Sequence, residues 1–352
     1  MTNSKMQKTD ILLEKIQNFI VQKRFKQAIK VCDVLLKTDK KNFHANANKA
    51  NILAEIGFYN KSIPYFYRAL QSMPDDPFVL FNLATTLYDL EKYGEAIQLF
   101  DKVIAIRPRN VDAICNKANA LVALGKHTQA ISIYNNALKI FPEDIVVLNN
   151  KGIVFAGKSR HKDAIKCFET ALKVSPVDVD TLCNKGNSLA EIGNFSESAA
   201  CFESALEINP QDYDARFRLG IAYSHTCRPK EAILCFNQVL KKDHSHTDAW
   251  INKGMAHIAL KRYRQAILCF DKALQADKYS FEAAYHKSQS LVQVGRHTQA
   301  ISLLRKIVKS NKVHPHQHGK PHMSIKNKIL KDKYLTKLQN DKGFLSFISN
   351  LP

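Results

Sequence analysis

Asparagines recur at a spacing of 34 through the 352-residue chain, and their carboxamides are the side chains best suited to binding chemistry. The main series is Asn48, Asn82, Asn116, Asn150, Asn184 and Asn252, with Arg218 and His286 at the two remaining steps. A second series lies three residues later, at Asn51, Asn119 and Asn187. A carboxamide offers one acceptor and two donors, which suits a bidentate grip on a peptide group. Asparagine is a poor residue inside a helix, so its repetition requires a compensating reason.

The cysteines do not follow the pattern of a metal site or of a disulfide framework. Four of the eight recur with the same period as the asparagines, and each directly precedes a phenylalanine: Cys167, Cys201, Cys235 and Cys269. No CxxC pair occurs in the sequence, so neither zinc nor disulfide chemistry is supported. We therefore predict that these cysteines are small buried helix residues, and that the protein has no metal and no cofactor.

Catalytic motifs are also missing from the sequence, which contains no phosphate-binding GxxxxGK[ST], no GxSxG and no HExxH. The chain is accordingly predicted not to be an enzyme. The tract HPHQHGKPH, residues 314–322, has four histidines that could bind a transition metal. Its proline and glycine content favours an exposed loop instead.

The period of 34 extends to the apolar residues and indicates a tandem array of one structural unit. Steps of 34 from Ala28 meet a small residue each time, and an aromatic residue follows four positions later in seven of the nine steps. Proline recurs at Pro74, Pro108, Pro142, Pro176 and Pro210, and glycine at Gly152, Gly186, Gly220 and Gly254 and again at Gly57, Gly125, Gly193 and Gly295. Each unit has two apolar-periodic segments of about a dozen residues joined by a turn, which predicts a helix pair.

Together these positions resemble the tetratricopeptide repeat. The unit starting at 247 is the most complete, with Trp250, Gly254, Tyr263, Ala266, Phe270 and Ala273 at signature positions. The resemblance covers residues 9–314 as nine tandem repeats, which start at 9, 43, 77, 111, 145, 179, 213, 247 and 281. It implies an all-α, right-handed superhelical solenoid of antiparallel helix pairs with a C-terminal capping helix.

The two ends of the chain lie outside the repeats. Residues 1–8 are predicted to be an N-terminal extension, and residues 315–352 a basic tail with a loop and a capping helix. The tail places apolar residues near helical spacing, at Ile325, Ile329, Leu330, Tyr334, Leu335 and Leu338. A solenoid needs such a helix to cover the open face of its last repeat.

In this family the inner groove is lined by the first-helix face that carries positions two, six, nine and thirteen of each repeat. The resemblance therefore implies a peptide-binding groove formed by Asn48, Asn51, Asn82, Asn116, Asn119, Asn150, Asn184, Asn187, Arg218 and Asn252. Such an asparagine ladder is similar to that in the repeat region of O-linked N-acetylglucosamine transferases, which holds extended polypeptide. The alternative is that the asparagines hydrogen-bond between adjacent repeats and keep them in register. A carboxylate clamp of the chaperone-binding kind is not predicted, because position five never carries lysine.

The predicted partners are other proteins, and the predicted function is an interaction scaffold or adaptor for extended polypeptide segments. Positive charge is concentrated at the ends: residues 1–41 carry ten Lys or Arg against four Asp or Glu, and residues 305–342 carry eleven against two. The alternative function is therefore contact with nucleic-acid phosphates through the basic termini. Position seven adds a lysine series, predicted to lie at the groove edge with packed stems: Lys49, Lys117, Lys151, Lys185, Lys253 and Lys287.

The cellular location is predicted from what the sequence does not contain. No apolar run approaches the roughly 20 residues needed to cross a bilayer, and the N-terminal segment lacks the apolar core of a signal peptide. A cytoplasmic protein is expected. The sequence specifies neither the partner nor the oligomeric state.

Overall fold

The protein is helical throughout the residues that a computed structural model describes, 2–313 and 329–349, and no β-strand occurs in those ranges. The chain divides into two compact units, Met1–Val174 and Ser175–Pro352. The first unit contains α1 (Thr2–Val21), α2 (Phe25–Thr38), α3 (Phe43–Glu55), α4 (Tyr59–Ser72), α5 (Pro77–Asp89), α6 (Tyr93–Ile106), α7 (Val111–Ala123), α8 (His127–Ile140), α9 (Ile145–Gly157) and α10 (His161–Val174). The all-α prediction is confirmed.

The second unit continues the same alternation of helices. It contains α11 (Val179–Glu191), α12 (Phe195–Ile208), α13 (Tyr213–His225), α14 (Pro229–Lys242), α15 (Thr247–Ala259), α16 (Tyr263–Ala276), α17 (Phe281–Gln293), α18 (His297–Val313), a 3-10 turn η1 (Thr336–Leu338) and α19 (Lys342–Ser349). From α3 to α17, every odd-numbered helix begins at a residue from which the sequence counts a repeat. Helix α1 instead begins at Thr2, within the stretch predicted as an extension.

From the second repeat on, capping residues explain why the first helix of a repeat begins where it does. Asn42, Asp76, Asp144 and Asp178 each accept a hydrogen bond from the backbone N–H three residues on, at 2.8–2.9 Å. An N-cap of this kind stabilises a helix by about 1 kcal/mol. The caps recur with the period of the repeat, so helix starts are specified locally in each unit.

The turn within each helix pair is also specified by one backbone position. Position fifteen has a positive φ in all nine repeats, from 54° at Lys23 to 82° at Gly57. Glycine adopts this conformation without the steric cost that a Cβ brings. This requirement accounts for the second glycine series in the sequence, whose members all have positive φ.

The core lies inside the helix pairs, where an aromatic side chain at position twenty-four fills the gap. Phe66, Phe100 and Tyr134 are fully buried. In the fifth to eighth repeats, the aromatic faces a glycine at position eight: a Cβ added to Gly254 would lie 2.5 Å from the ring of Phe270. The close approach of the two helices therefore requires glycine there, and an alanine would force the ring to move.

The first helices form the inner side of each unit. In the first unit α3 contacts α5, α5 contacts α7 and α7 contacts α9. In the second unit α11 contacts α13, α13 contacts α15 and α15 contacts α17. Second helices of neighbouring pairs have no contact of comparable extent among the described residues. The first helices of neighbouring pairs therefore approach each other more closely than the second helices do. For this reason the stack of helix pairs in each unit curves, with the first helices on its concave side. Their residues at positions two, six, nine and thirteen are called the inner face below.

The C-terminal segment covers the last repeat, but not as the single helix that the spacing predicts. Helix ends at residue 330, and η1 and α19 follow as separate elements. The carboxylate of Asp332 accepts from the backbone N–H of Tyr334 at 2.7 Å, and Asp341 caps α19 by accepting from Phe344 at 3.0 Å. Both contacts favour turns over a continuous helix. Ile325 and the histidine-rich tract lie outside the described residues.

Apolar residues of this segment complete the core at the end of the second unit. Leu335, Leu338 and Phe344 are almost fully buried, in one cluster with Leu291 and Leu304 of α17 and α18. The last repeat is therefore covered by three short elements: the helical residues 329–330, the turn η1 and the C-terminal helix α19.

The cysteines are all free, and most are buried. Cys183 is half-buried, and Cys227, in the turn between α13 and α14, is the exposed one. Burial raises the pKa of the thiols of Cys115, Cys235 and Cys269 to about 11. These positions fit the prediction of packing residues. No cluster of three or more metal-ligating side chains occurs within the described ranges.

Candidate functional site

The predicted ladder lies on the first helices of both units. In the first unit α3 carries Asn48 and Asn51, α5 carries Asn82, α7 carries Asn116 and Asn119, and α9 carries Asn150; in the second unit α11 carries Asn184 and Asn187, α13 carries Arg218 and α15 carries Asn252. The asparagines are half-buried and Arg218 is exposed. The surface is therefore reachable from solvent, although its members differ in what they already contact.

Two hydrogen bonds join carboxamides of adjacent repeats in the first unit. Gln17 donates through Nε2 to Oδ1 of Asn48 at 3.3 Å, and Asn82 donates through Nδ2 to Oδ1 of Asn51 at 2.9 Å. Each bond connects position nine of one repeat with position six of the next. This is the geometry that a register function requires.

Other members of the ladder bond within their own surroundings. Asn119 accepts from the hydroxyl of Tyr134 at 2.9 Å, and Asn150 hydrogen-bonds to the thiol of Cys115. Asn252 donates to the backbone oxygen of Asp248 at 2.8 Å. Asn184 also interacts with another group of the protein. These carboxamides already make hydrogen bonds that stabilise helices and helix pairs. A ligand must either displace those bonds or use the donors and acceptors that they leave unoccupied.

Asn116 and Asn187 form a distinct class. Both are half-buried, and within the described residues neither side chain hydrogen-bonds to another group of the protein. Among the described residues, the one ion pair of Arg218 is a long i,i+4 contact with Asp214, at 3.8 Å. The donors and acceptors of these three residues are the ones most available to an incoming polypeptide.

Three of the lysines at position seven bridge adjacent repeats, and sequence reasoning missed their partners. Lys117 pairs with Asp101 and Lys287 with Asp271, each at 2.5 Å, and Lys49 pairs with Asp33. Every one of these bridges runs from the second helix of one repeat to the first helix of the next. The detectable signal was an aspartate at position twenty-five of the preceding repeat in each case.

Electrostatics at Lys49 illustrate the role of these bridges. Burial alone would lower the pKa of Lys49, and its hydrogen bonds to Asp33 and to the Tyr65 hydroxyl raise it instead. A charge held this way is neutralised within the protein. The paired lysines therefore act as register contacts and offer little free charge to a phosphate.

At the last repeat the inner face already holds polypeptide, namely the chain's own C-terminal segment. Gln293, at position thirteen of α17, donates through Nε2 to the backbone oxygen of Tyr334 at 2.7 Å. Gln289, at position nine, donates to the carboxylate of Asp332, which also accepts from the hydroxyl of Tyr285 at 2.6 Å. Carboxamides of the inner face thus grip both a main-chain carbonyl and an acidic side chain.

No helix within the described ranges combines the length and the apolar character that a membrane span needs.

Comparison with protein families identifies the repeats. One model of the tetratricopeptide repeat matches residues 87–151 and 189–254, and a second matches residues 247–279. The chain therefore contains tetratricopeptide repeats, which generally serve as protein-interaction modules. Comparison with curated proteins finds no match.

Solved structures with the same fold are tetratricopeptide repeat proteins. YrrB, described as a TPR protein with an unusual peptide-binding site, is 25% identical, with a TM-score of 0.50 over 53% of this chain and 97% of YrrB. A tetratricopeptide repeat protein from Parabacteroides merdae is 18% identical, with a TM-score of 0.50 over 71% of this chain and 98% of its own. The APC/C hetero-tetramer Cut9–Hcn1 is 19% identical, with a TM-score of 0.52 over 80% of this chain and 55% of the matched chain. The last two likenesses concern the fold alone.

Proposed function

We propose that the protein is a non-enzymatic scaffold or adaptor whose inner faces bind extended segments of other proteins. The observation that carries this proposal is the bond from the Gln293 carboxamide to the backbone oxygen of Tyr334. It is an example, inside this molecule, of the contact that the ladder would make with a partner.

Hydrogen bonds of this kind are made to the main chain of the ligand, so they do not depend on its side chains. A carboxamide can donate to a peptide carbonyl and accept from a peptide N–H, so a row of them favours extended polypeptide over any one sequence. Asn116 on α7 and Asn187 on α11 have their bonding groups available, and we assign them the largest share of binding. Asn51 and Asn82 bond to each other, so we assign them mainly to register.

The likeness to YrrB supports this proposal, because YrrB is a tetratricopeptide repeat protein with a peptide-binding site. Binding by several weak bonds predicts modest affinity for each segment and broad specificity. We also propose a cytoplasmic location.

Contact with nucleic-acid phosphates through the basic termini is the competing function. Phosphate binding by several lysines would weaken steeply as salt rises, whereas carboxamide bonds to a peptide carry no charge and respond little. Three of the position-seven lysines are already paired with aspartate. These three lysines therefore offer little charge to a phosphate, and the competing function would have to rely on the basic termini.

The test is affinity capture from nuclease-treated lysate of the source cells at moderate salt, read by mass spectrometry. The variant is Asn116→Ala with Asn187→Ala, and the matched control is Asn135→Ala with Asn237→Ala, which removes one exposed asparagine from a second helix in each unit. Circular dichroism first establishes that all three proteins are folded. Proteins retained by wild type and control but lost by the variant support the proposal.

Two results would overturn it. An unchanged set of captured proteins in the Asn116/Asn187 variant would leave the ladder with a register role alone. If proteins are captured only in a parallel experiment at low salt without nuclease, and none under the conditions of the test, the binding is assigned to phosphate contacts at the basic termini.

A further inference from the structure

A cavity of about 770 Å³ opens to solvent in the second unit, between α15, α16 and α17. Its lining includes Trp250, Lys253 and His257 of α15 and Leu268, Lys272 and Gln275 of α16. We call it the Trp250 pocket. It combines an aromatic wall with three lysines, because Lys287 of α17 also lines it.

The Trp250 pocket lies on the side of α15 opposite the inner face. An α-helix turns by about 100° per residue, so positions four, seven and eleven of a repeat lie roughly 130–170° around the helix from the centre of the inner face. Trp250, Lys253 and His257 occupy these three positions, whereas Asn252 belongs to the inner face. A ligand in this pocket would leave the inner face of α15 free.

Lys253 is a position-seven lysine without an aspartate partner. Asn237 occupies position twenty-five of the preceding repeat, where the paired lysines have Asp33, Asp101 and Asp271. Among the described residues no carboxylate lies within ion-pair distance, and its Nζ rests 4.8 Å from the centre of the Trp250 ring. Its positive charge is therefore available in the pocket.

The remaining charges leave the pocket with a positive excess. Asp271, its one carboxylate, is neutralised by Lys287 at 2.5 Å. Lys272 has only a hydrogen bond to Gln275, at 3.2 Å. Nδ1 of His257 is buried and has no hydrogen-bond partner in the described structure. An occupant with hydrogen-bonding groups and negative charge would complement this set.

The apolar lining of the pocket favours an anion that also carries apolar surface. Leu268 is 65% exposed although it is a large apolar residue, and it lines the cavity together with the half-buried Trp250. Covering such side chains contributes binding energy only if the ligand brings apolar surface. An inorganic anion or a phosphate backbone brings none at this point, whereas an acidic peptide that contains leucine or phenylalanine brings both charge and apolar area.

We infer that the Trp250 pocket is a second docking site, which binds an acidic segment of a partner protein. A carboxylate of that segment lies between Lys253 and Lys272, and a neighbouring bulky apolar side chain packs on Trp250 and Leu268. The site works independently of the inner face, so one molecule can hold two different segments at once.

Trp250 is the only tryptophan of the chain, so intrinsic fluorescence reports directly on this pocket. The full-length protein is titrated with a short acetylated, amidated peptide of alternating glutamate and leucine. The same peptide with glutamine for glutamate, or alanine for leucine, serves as the comparison. Fluorescence anisotropy of a dye-labelled copy gives a second readout that does not depend on Trp250. We expect saturable binding of the glutamate–leucine peptide and binding about tenfold weaker for either altered peptide.

Variants separate this pocket from the rest of the molecule. Lys253→Gln with Lys272→Gln weakens anisotropy-detected binding about tenfold, as expected for two exposed ion pairs, and Leu268→Ala weakens it as well. Lys151→Gln is the matched control, because Lys151 also occupies position seven, follows a repeat with asparagine at position twenty-five and lies against an aromatic ring. Neither this control nor Asn116→Ala alters the binding that Trp250 fluorescence reports.

Three outcomes would overturn the inference. One is the absence of saturable binding by the glutamate–leucine peptide in either readout. The second is equal displacement of the labelled peptide by inorganic phosphate or single-stranded DNA, which would make the pocket a general anion site. The third is an equal loss of binding in the Asn116→Ala variant, which would place the peptide on the inner face. Loss of lysate capture by the Asn116/Asn187 variant is a separate result and does not bear on this pocket.

Discussion

The inner faces of α7 and α17 both carry carboxamide side chains, but these side chains differ in what they contact. On α17, Gln289 and Gln293 bond to the chain's own segment at Asp332 and Tyr334. On α7, the Asn116 side chain has no bonding partner within the described protein. The comparison teaches that a carboxamide on this face binds polypeptide when polypeptide is present, and that its role depends on what covers it.

Side-chain length contributes to this difference. The covered positions carry glutamine and the uncovered ones mostly asparagine, and the extra methylene extends the amide further from the helix. Where two asparagines lie in adjacent repeats at the right positions, as Asn51 and Asn82 do, they bond to each other. Four environments therefore exist for one chemical group: covered by the tail, paired between repeats, bonded within its own repeat as at Asn119 and Asn252, and open.

The largest expected effect comes from uncovering α17. Leu338 is fully buried against the last repeat, and Leu338→Ala should cost about 2–5 kcal/mol of stability through lost burial and a cavity. Urea unfolding followed by circular dichroism measures it. Leu345→Ala, in the same segment but 52% exposed, should change stability by less than about 0.5 kcal/mol. Equal effects of the two variants would show that the segment does not cover the repeat.

Removing the acidic group of the tail should have an intermediate effect. Asp332→Ala leaves the Tyr285 hydroxyl and the Gln289 amide without their acceptor, at a cost of about 1–3 kcal/mol. Asp332→Asn keeps one acceptor oxygen and should lose less. Urea unfolding gives the stability of both variants. If Asp332→Ala is as stable as wild type, water replaces the carboxylate without cost.

Breaking a pair between repeats should cost less again. Asn51→Ala removes the acceptor for Asn82, and we expect a loss of about 0.5–1.5 kcal/mol. Hydrogen exchange should localise the loss to α3 and α5. If Asn51→Ala is as stable as wild type, the bond does not maintain register.

The smallest effect on stability is expected at the open position. Asn116→Ala breaks no internal bond, and alanine favours a helix over asparagine by up to about 0.7 kcal/mol. Its stability should equal or slightly exceed that of wild type, while peptide binding on the inner face is lost. A measurable destabilisation would place Asn116 in the paired class and weaken its proposed role.

Much of the fold could be predicted from the sequence, because each repeat specifies its structure locally. The caps at Asn42 and Asp76 specify helix starts, and the positive φ at position fifteen accounts for Gly57 and Gly125. The period alone therefore identifies helix pairs and their order.

The site was less predictable, because it depends on contacts between residues far apart in sequence. Spacing predicts a helix through Tyr334, yet Asp332 forms a turn there and reaches Tyr285 and Gln289 on α17. The ladder pattern also does not reveal which carboxamides already have partners. Lys49 and Lys253 occupy the same repeat position, and only the residue at position twenty-five of the preceding repeat distinguishes a bridge from a free charge.

The distribution of the cysteines makes the folded protein behave towards thiol reagents as though it had a single cysteine. Cys183 is half-buried and burial raises its pKa to about 11, so little thiolate forms there near neutral pH. Cys227 is exposed in the turn before α14. We expect a maleimide dye to label native protein at Cys227 alone, and Trp250 then supplies an intrinsic donor for energy transfer. Energy transfer between Trp250 and a dye on Cys227 can thus be measured in the wild-type chain without any engineered residue.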